Sequence, residues 1–334
     1  MAQTYTPQGP NVSTGDTFTV QSGDAPPNGS VAGALGAVVA SPTDANTLYV
    51  ASPNGGIWKT VNGGATWTAL TSTQADLSVA SLALDPTDPT ARTLIAGTGL
   101  SSNGTVCQTG NCFFAGSGNA PAGLLMTRDG GATWTTLGAA TLAGQTVDAV
   151  AERGQVILAG TFEMGFSAPA AQRMVGGLYR STDGGATFNL VSGGAGLPAG
   201  PVSSIAGDPA NTNRLYAAVT APNATAGGLA STAVYVSNDA GANWAPVFSS
   251  TNSAGTITGT TQTAIRIAAG PNGTLAVGVF TMPNGGAAGS GTLTGLFYSG
   301  NSGTTWTQLT VPTINNGGQA TPNFAIAIDP NNPR

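Results

Sequence analysis

Short apolar runs, separated by turns rich in glycine, proline, asparagine and aspartate, recur along the whole chain. Runs such as TLIAG, GLLMT and TLAVGV have the usual length of a β-strand. No stretch carries the 3.6-residue apolar period of a long amphipathic helix. The pattern therefore predicts an all-β protein with many short strands.

One eight-residue pattern occurs five times and divides the chain into repeats. The copies are TVNGGATW, TRDGGATW, STDGGATF, SNDAGANW and SGNSGTTW. Their final aromatic residues are 67, 54, 56 and 62 residues apart, a spacing that fits one propeller blade with connections of variable length. Each copy lies between two short apolar segments, so each predicts the turn of a β-hairpin.

A second pair of strands is predicted upstream of most copies, as in LALDPTDPTARTLIAG and IAGDPANTNRLYAAV. Four antiparallel strands per repeat predict a β-propeller of four-stranded blades, with five blades visible over residues 31–334. Residues 1–30 are expected to be an N-terminal extension or a closing strand. The segment NFAIAIDPNNPR predicts the first strand of a further blade. The propeller then either continues beyond residue 334 or closes its ring with the N-terminal segment TFTVQ.

Each position of the octapeptide has a physical role in its hairpin. The Asp side chain accepts hydrogen bonds from amides of its own turn, and Asn makes the same turn without a charge. The glycine suits a positive φ angle, and the hydroxyl at the first position offers another hydrogen bond. The final aromatic ring is available for burial between blades. The predicted turn residues are Asn62, Gly64 and Trp67; Asp129, Gly131 and Trp134; Asp183, Gly185 and Phe188; Asp239, Gly241 and Trp244; and Asn301, Gly303 and Trp306.

The five octapeptides resemble the Asp-box, or bacterial neuraminidase repeat. That family includes sialidases, xyloglucan-cleaving glycoside hydrolases, sortilin-type receptor ectodomains and photosystem assembly factors, all with the motif on propeller blades. The resemblance implies that Asp129, Asp183 and Asp239 are structural residues, remote from any active centre. Asn62 and Asn301 depart from the family pattern because they replace the aspartate.

The same resemblance weighs against two of the family's enzymatic activities. In xyloglucanase-like members a catalytic aspartate precedes a Gly-Gly pair in the first blade, whereas here Ser52, Pro53 and Asn54 precede that pair. Sialidases use an arginine triad, a tyrosine and a glutamate around the axis. Arg266 is the one arginine of this chain that lies in a convincing apolar strand, so a full sialidase set is not expected.

Charge is scarce, since only 7% of the residues are charged, with 9 basic and 14 acidic side chains. Without a basic cluster, nucleic-acid binding is not expected, because neutralising phosphates needs grouped Lys and Arg. Anionic membranes are disfavoured for the same reason. No apolar run approaches the roughly 20 residues that span a bilayer, so membrane insertion is not expected.

The two cysteines, Cys107 and Cys112, lie close together in the segment VCQTGNCFF. They either form a local disulfide, which favours an oxidising compartment, or remain two free thiols. A zinc site is not expected, because the chain has no histidine and no second cysteine pair. We therefore expect a secreted or cell-surface protein, extracellular or periplasmic, that uses neither a metal nor a cofactor.

Few residues could support catalysis. Outside the octapeptides and the Asp-Pro turns, Asp148 and Glu152, in the segment VDAVAERGQ, form the best acidic cluster, and the alternative is a solvated turn between two strands. Glu163 lies on a longer loop, and Arg266 is either a channel residue or a paired strand charge. The small number of such groups weighs against an enzyme. If the chain is one, a glycoside hydrolase or lyase is the expected class, because glycoside hydrolysis needs two carboxyl groups.

Long connections between strands are the remaining candidate site. They carry Phe113, Phe114, Phe166 and Arg173 and exceed the length that a hairpin needs, although such loops can also be decoration without a ligand. The sequence thus predicts an interaction module that binds a glycan or a protein surface. The alternatives are a glycoside hydrolase and a structural subunit of an extracellular assembly, which would self-associate through an open blade edge.

Overall fold

The structure is a computed structural model that describes residues 35–52, 55–74, 77–99, 105–108, 111–114, 122–162, 176–222, 229–249, 262–282, 292–311 and 325–329. The predicted extension over residues 1–30 lies outside these ranges. Within them are twenty-two β-strands, the four-residue helix α1 (Ala139–Leu142) and a 3-10 turn (Pro271–Gly273).

Twenty of the strands form five antiparallel sheets of four. Blade 1 contains β1 (Ala37–Ala40), β2 (Leu48–Ser52), β3 (Gly56–Thr60) and β4 (Thr68–Ala69). Blade 2 contains β5 (Val79–Leu84), β6 (Leu94–Thr98), β9 (Leu124–Thr127) and β10 (Thr135–Leu137). The hairpin of β7 (Thr105–Gln108) and β8 (Asn111–Phe114) is inserted between β6 and β9.

The other three blades are uninterrupted meanders. Blade 3 contains β11 (Thr146–Arg153), β12 (Val156–Phe162), β13 (Leu178–Ser181) and β14 (Asn189–Leu190). Blade 4 contains β15 (Val202–Gly207), β16 (Leu215–Pro222), β17 (Leu229–Ser237) and β18 (Ala245–Ser249). Blade 5 contains β19 (Gln262–Ala269), β20 (Leu275–Met282), β21 (Thr292–Ser299) and β22 (Thr307–Leu309). The fold is therefore the predicted β-propeller of four-stranded blades.

The first strand of each blade is the innermost. The strands β1, β5, β11, β15 and β19 pack against one another in chain order and line the central channel. Small residues let neighbouring blades approach closely: a side chain at Gly97 of β6, in blade 2, would clash with the carbonyl oxygen of Val147 in β11, in blade 3. The fourth strands of blades 1, 2, 3 and 5 are short and largely exposed, as expected at the rim of a propeller.

The hydrophobic core consists of layers between neighbouring blades. Ile57 of blade 1 packs with Leu94 of blade 2, and Ile95 of blade 2 packs with Ile157 of blade 3. Similar layers join blades 3 and 4 and blades 4 and 5. Because burying one such side chain contributes about 1.5–3 kcal/mol, packing between blades is a main source of stability.

Residues 325–329 belong to the segment predicted to begin a further blade. These five residues are not part of a β-strand in the structure. Ile328 lies beside Gly270, where the chain turns from β19 to β20, since a side chain at Gly270 would meet the Ile328 side chain. Ile328 thus lies next to the turn between the first two strands of blade 5.

Candidate functional site

The strand order gives the propeller two different ends. The turns between first and second strands and the octapeptide turns lie at one end, which we call the turn end. The connections between second and third strands leave from the opposite end, the insert end. In blades 2 to 5 these connections contain the long segments 99–123, 163–177, 223–228 and 283–291.

Every octapeptide at the turn end is closed by its own hydrogen bonds. In blade 3, Ser181 Oγ donates to Asp183 Oδ1 at 2.7 Å, and Gly185 N donates to Ser181 Oγ at 2.8 Å. Thr187 donates its amide to Asp183 Oδ1 at 3.0 Å and its hydroxyl to Oδ2 at 2.6 Å. The turns of Asp129 and Asp239 repeat this arrangement.

Asparagine keeps the same turn by reversing one hydrogen bond. Asn62 Oδ1 accepts from Thr66 N at 2.9 Å, as the aspartates do, but its Nδ2 donates to Thr66 Oγ1 at 2.9 Å. Asn301 and Thr305 form the same pair. The octapeptide therefore needs the shape and the acceptor of the side chain more than its charge.

The aspartates of these turns are held ionised. The hydroxyl and amide of Thr133 keep the pKa of Asp129 well below its usual range, and Thr187 does the same for Asp183. At Asp239 burial acts to raise the pKa, but hydrogen bonds from Asn243 and Ser237 still lower it. Since the carboxylate oxygens are used within their own turns, these aspartates act as structural acceptors.

Four of the five octapeptide aromatics occupy matching sites. Each packs against the layer formed with the preceding blade: Trp134 against blade 1, Phe188 against blade 2, Trp244 against blade 3 and Trp306 against blade 4. Trp67 is half-buried and belongs to none of the layers between described blades, because no described blade precedes blade 1. The aromatic position therefore joins successive blades.

Polar side chains also join blades at the turn end. Asp85 Oδ2 accepts from Gly154 N of blade 3 at 3.1 Å, and Asp208 Oδ2 accepts from Gly273 N of blade 5 at 2.7 Å. Arg153 occupies the equivalent position in blade 3, and its Nε donates to Thr212 O of blade 4 at 3.1 Å. The sequence signal for the two aspartates was the repeated Asp-Pro turn, but the pattern did not show that it links neighbouring blades.

A cavity of about 260 Å³ lies at the turn end of the channel. The first strands of blades 2, 3 and 4 line it with apolar groups such as Leu82, Val150 and Ile205. Arg153 supplies the charge in its wall, next to Gly207. A side chain at Gly207 would clash with the Arg153 guanidinium, so the glycine makes room for this arginine.

Three of the first strands contain a β-bulge at the same level, near the insert end. The bulged residues are Ala80 in blade 2, Asp148 in blade 3 and Ser203 in blade 4. A bulge redirects its side chain and is common next to binding and active sites. The equivalent level of blade 5 has no bulge and holds Arg266.

Asp148 and Arg266 lie at this level and interact through their charges. Arg266 Nη1 donates to the carbonyl oxygen of Ser203, and its positive charge acts on Asp148. Burial raises the pKa of Asp148 to about 6, and Arg266 opposes the rise. No described residue donates a hydrogen bond to the Asp148 carboxylate. A carboxylate of blade 3 and a guanidinium of blade 5 thus act on each other at the level of the bulges.

Glu152 does not join this pair, although the sequence grouped it with Asp148. Both residues lie in β11, so the alternative of a solvated turn is wrong, and the turn follows at Gly154. Glu152 is fully buried and faces blade 2, because its cross-strand partner Ile157 belongs to the layer between blades 2 and 3. The two carboxyl groups therefore do not form a glycosidase pair.

For the other predicted site residues, either only the backbone is described or the residue lies outside the described ranges. Glu163, Phe166 and Arg173 lie outside the described residues. Phe113 and Phe114 belong to β8, of which the backbone is described. In the β7–β8 hairpin Cys107 and Cys112 are directly opposite each other. Opposed residues of antiparallel strands have the Cα separation that a disulfide needs.

Among the described residues, no group of three or more His, Cys, Asp or Glu side chains is arranged to hold a metal ion. The described helices are all too short or too polar to cross a membrane.

Known structures share the propeller fold. A GH74 xyloglucanase from Xanthomonas campestris matches 90% of this chain with a TM-score of 0.55 and 22% identity, and the chain spans 41% of the length of that enzyme. The match to a GH74 enzyme from Niastella koreensis covers 88% of this chain and 52% of that enzyme, with a TM-score of 0.43 and 16% identity. The match to a structure of YCF48 bound to D1 peptide covers 83% of this chain and 81% of YCF48, with a TM-score of 0.42 and 13% identity.

No protein-family model matches the sequence, and no curated protein does. At these identities the likeness shows the fold alone. The chain is a β-propeller protein with a charged pair in its channel.

Proposed function

We propose that the chain is a binding module of a secreted or cell-surface protein and that it holds a hydroxyl-rich glycan at the insert end of the channel. The observation that carries this proposal is the Asp148–Arg266 pair. It lies at the level of the bulges, near the end from which the long connections leave.

The chemistry of the pair suits a sugar. The Asp148 carboxylate accepts hydrogen bonds, and the Arg266 guanidinium donates them. A sugar hydroxyl does both, so one diol can bridge the two groups with charge-assisted hydrogen bonds. The bulge positions of blades 2 and 4 hold the neutral residues Ala80 and Ser203, so neither adds a competing charge at this level.

A glycan array with product analysis tests this proposal. The wild-type chain is expected to retain a set of oligosaccharides and to release them uncut. Asp148→Asn should weaken binding by at least about tenfold, the effect of losing one charge-assisted hydrogen bond. Asp129→Asn, which removes a carboxylate at the turn end, is the matched control and should bind like the wild type. Equal binding by Asp148→Asn and the wild type would contradict the proposal.

A glycoside hydrolase is the second candidate, and the raised pKa of Asp148 favours it. A carboxyl group with a pKa of about 6 can donate a proton to a leaving group at mildly acidic pH. The second carboxyl group would have to come from outside the described residues, and Glu163 is the sequence candidate. Release of cut sugar by the wild type, lost in both Asp148→Asn and Glu163→Gln, would favour this reading over binding alone.

The third candidate function is that of a structural subunit of an extracellular assembly. The face of blade 1 that has no described blade packed against it favours this function. Val38 is 60% exposed, whereas the equivalent residues Leu82, Val150 and Ile267 are buried against a preceding blade. Self-association through this face would appear as a concentration-dependent mass in light scattering, and Val38→Asp should abolish it.

Two further features support the extracellular assignment and the Asp-box relationship. The opposed cysteines of the β7–β8 hairpin fit a disulfide, which persists in oxidising compartments. The five closed octapeptides behave as Asp-box turns are expected to behave, with structural aspartates at the turn end. Mass spectrometry of the alkylated, unreduced protein tests the disulfide, since two alkylated cysteines would exclude it.

A further inference from the structure

Glu152 is an anomaly at the contact between blades 2 and 3. Its side chain is fully buried, and neither carboxyl oxygen has a hydrogen-bond partner among the described residues. An unsatisfied buried polar group is costly, and a buried charge without a partner costs more. The proposed channel site does not use this residue, so its presence needs a separate explanation.

The other blades show what this position normally holds. The strand registers of the five blades can be aligned on the first residue of each octapeptide. This alignment makes four residues equivalent to Glu152: Ala40, Leu84, Gly207 and Ala269. All four are small or apolar, as a contact between blades requires. Only blade 3 has an ionisable residue here, so the fold does not need one at this position.

The charges around Glu152 do not neutralise it. Asp85 and Asp88 face it from the turn between β5 and β6, Arg128 from the octapeptide of blade 2, and Arg153 from its own strand. Asp85 is fixed by its hydrogen bond from Gly154 N. The Arg153 guanidinium is turned away, because it donates to Thr212 O and to the backbone oxygen of Glu152. An ionised Glu152 would therefore lie unpaired, close to Asp85.

We propose that Glu152 makes the contact between blades 2 and 3 dependent on pH: the blades pack fully when its carboxyl group is protonated, and the contact opens locally when it ionises. The protonated group is neutral and fits a layer formed by residues such as Ile95, Met126 and Ile157. The ionised group must either gain water or leave the layer.

The direction of the pH effect follows from linkage. Burial raises the pKa of Glu152 to about 8, and the charge of Asp85 adds to the rise. In the unfolded chain the group has an ordinary glutamate pKa, near 4.5. Between these values the folded state holds a proton that the unfolded state has lost. The unfolding equilibrium constant should therefore rise by up to about tenfold per pH unit and level off above about pH 8.

The test compares the wild type with Glu152→Gln by urea unfolding from pH 5 to pH 9.5. The ratio of their unfolding constants should change by at least about a hundredfold between pH 5 and pH 8. Asp148→Asn is the control variant, because its own raised pKa of about 6 affects only the acidic part of this range. Hydrogen exchange at pH 9, corrected for the intrinsic rate, should show loss of protection in the strands of blades 2 and 3, and Glu152→Gln should restore it.

Three results would overturn the proposal. Parallel pH profiles of the wild type and Glu152→Gln would show that Glu152 does not titrate in this range. Recovery of protection at pH 9 on adding calcium chloride or sodium chloride would show that a cation, not a proton, satisfies the carboxylate. The third result is the absence of a protonated carboxyl band at pH 7 in the infrared spectrum of the wild type. If Glu152→Gln fails to fold, Glu152→Leu, which copies Leu84 of blade 2, replaces it in the unfolding comparison.

Discussion

The two ends of the propeller differ in how similar the equivalent residues of successive blades are. In the octapeptides of the turn end, equivalent positions of successive blades hold the same kinds of residue, and their hydrogen bonds are used within the turns. Near the insert end, the bulge position holds Ala80, Asp148 and Ser203, three different chemistries on the same backbone. Repetition therefore identifies the residues that close the hairpins, whereas the variable bulge position carries the carboxylate that we propose binds a ligand.

Removal of an octapeptide aromatic should be the most damaging change at the turn end. Trp244 is buried between blades 3 and 4, so Trp244→Ala should lower the free energy of unfolding by about 3–5 kcal/mol. Urea denaturation followed by circular dichroism measures this loss. Trp67→Ala changes the same position of blade 1, where the ring is half-buried, and should cost less. Equal losses would contradict the role given to the preceding blade.

A pair of valines tests the same rule with a smaller change. Val150 packs between blades 2 and 3, whereas the equivalent Val38 is 60% exposed. Val150→Ala should lower the free energy of unfolding by about 1.5–3 kcal/mol, and Val38→Ala by only a few tenths. A large loss for Val38→Ala, measured on the monomer, would mean that the face of blade 1 is covered.

The smallest effect is expected where one octapeptide departs from the others. Ala240 has a φ of 54°, at the position that Gly130 and Gly184 hold in blades 2 and 3. Ala240→Gly relieves this strain but adds freedom to the unfolded chain, so it should stabilise the protein by about 0.5–1 kcal/mol. The reverse change, Gly184→Ala, should destabilise it by a similar amount. Differential scanning calorimetry distinguishes the signs, and destabilisation by Ala240→Gly would refute this reading.

Much of this architecture could be predicted from the sequence, because the octapeptide is local. Its turn residues, its hairpin strands and the four-stranded repeat all follow from contiguous patterns. β11 was obscured for a physical reason: the bulge at Asp148 breaks the alternation of apolar residues, and Glu152 puts a charge where the other blades have a small or apolar residue. The segment therefore resembled a turn.

The charged pair of the channel lay beyond sequence reasoning for a different reason. Asp148 and Arg266 belong to first strands of blades that are not neighbours, and they converge because the blades curve around an axis. Each residue could be identified as a candidate, but their electrostatic interaction depends on the curvature and on the bulge. The sequence grouped Asp148 with Glu152 because they are close in the chain, whereas the strand places the two side chains in different surroundings.

The most direct test measures affinity and stability together for two variants that each remove one carboxylate. Titration calorimetry with an array-selected oligosaccharide, and urea unfolding at pH 7, should be run on Asp148→Asn and Asp129→Asn. Asp148→Asn is expected to bind at least about tenfold more weakly, without loss of stability, since it removes a carboxylate that burial destabilises. Asp129→Asn should keep the affinity of the wild type. Equal affinities of the two variants, or a loss of binding confined to Asp129→Asn, would contradict the division between the two ends.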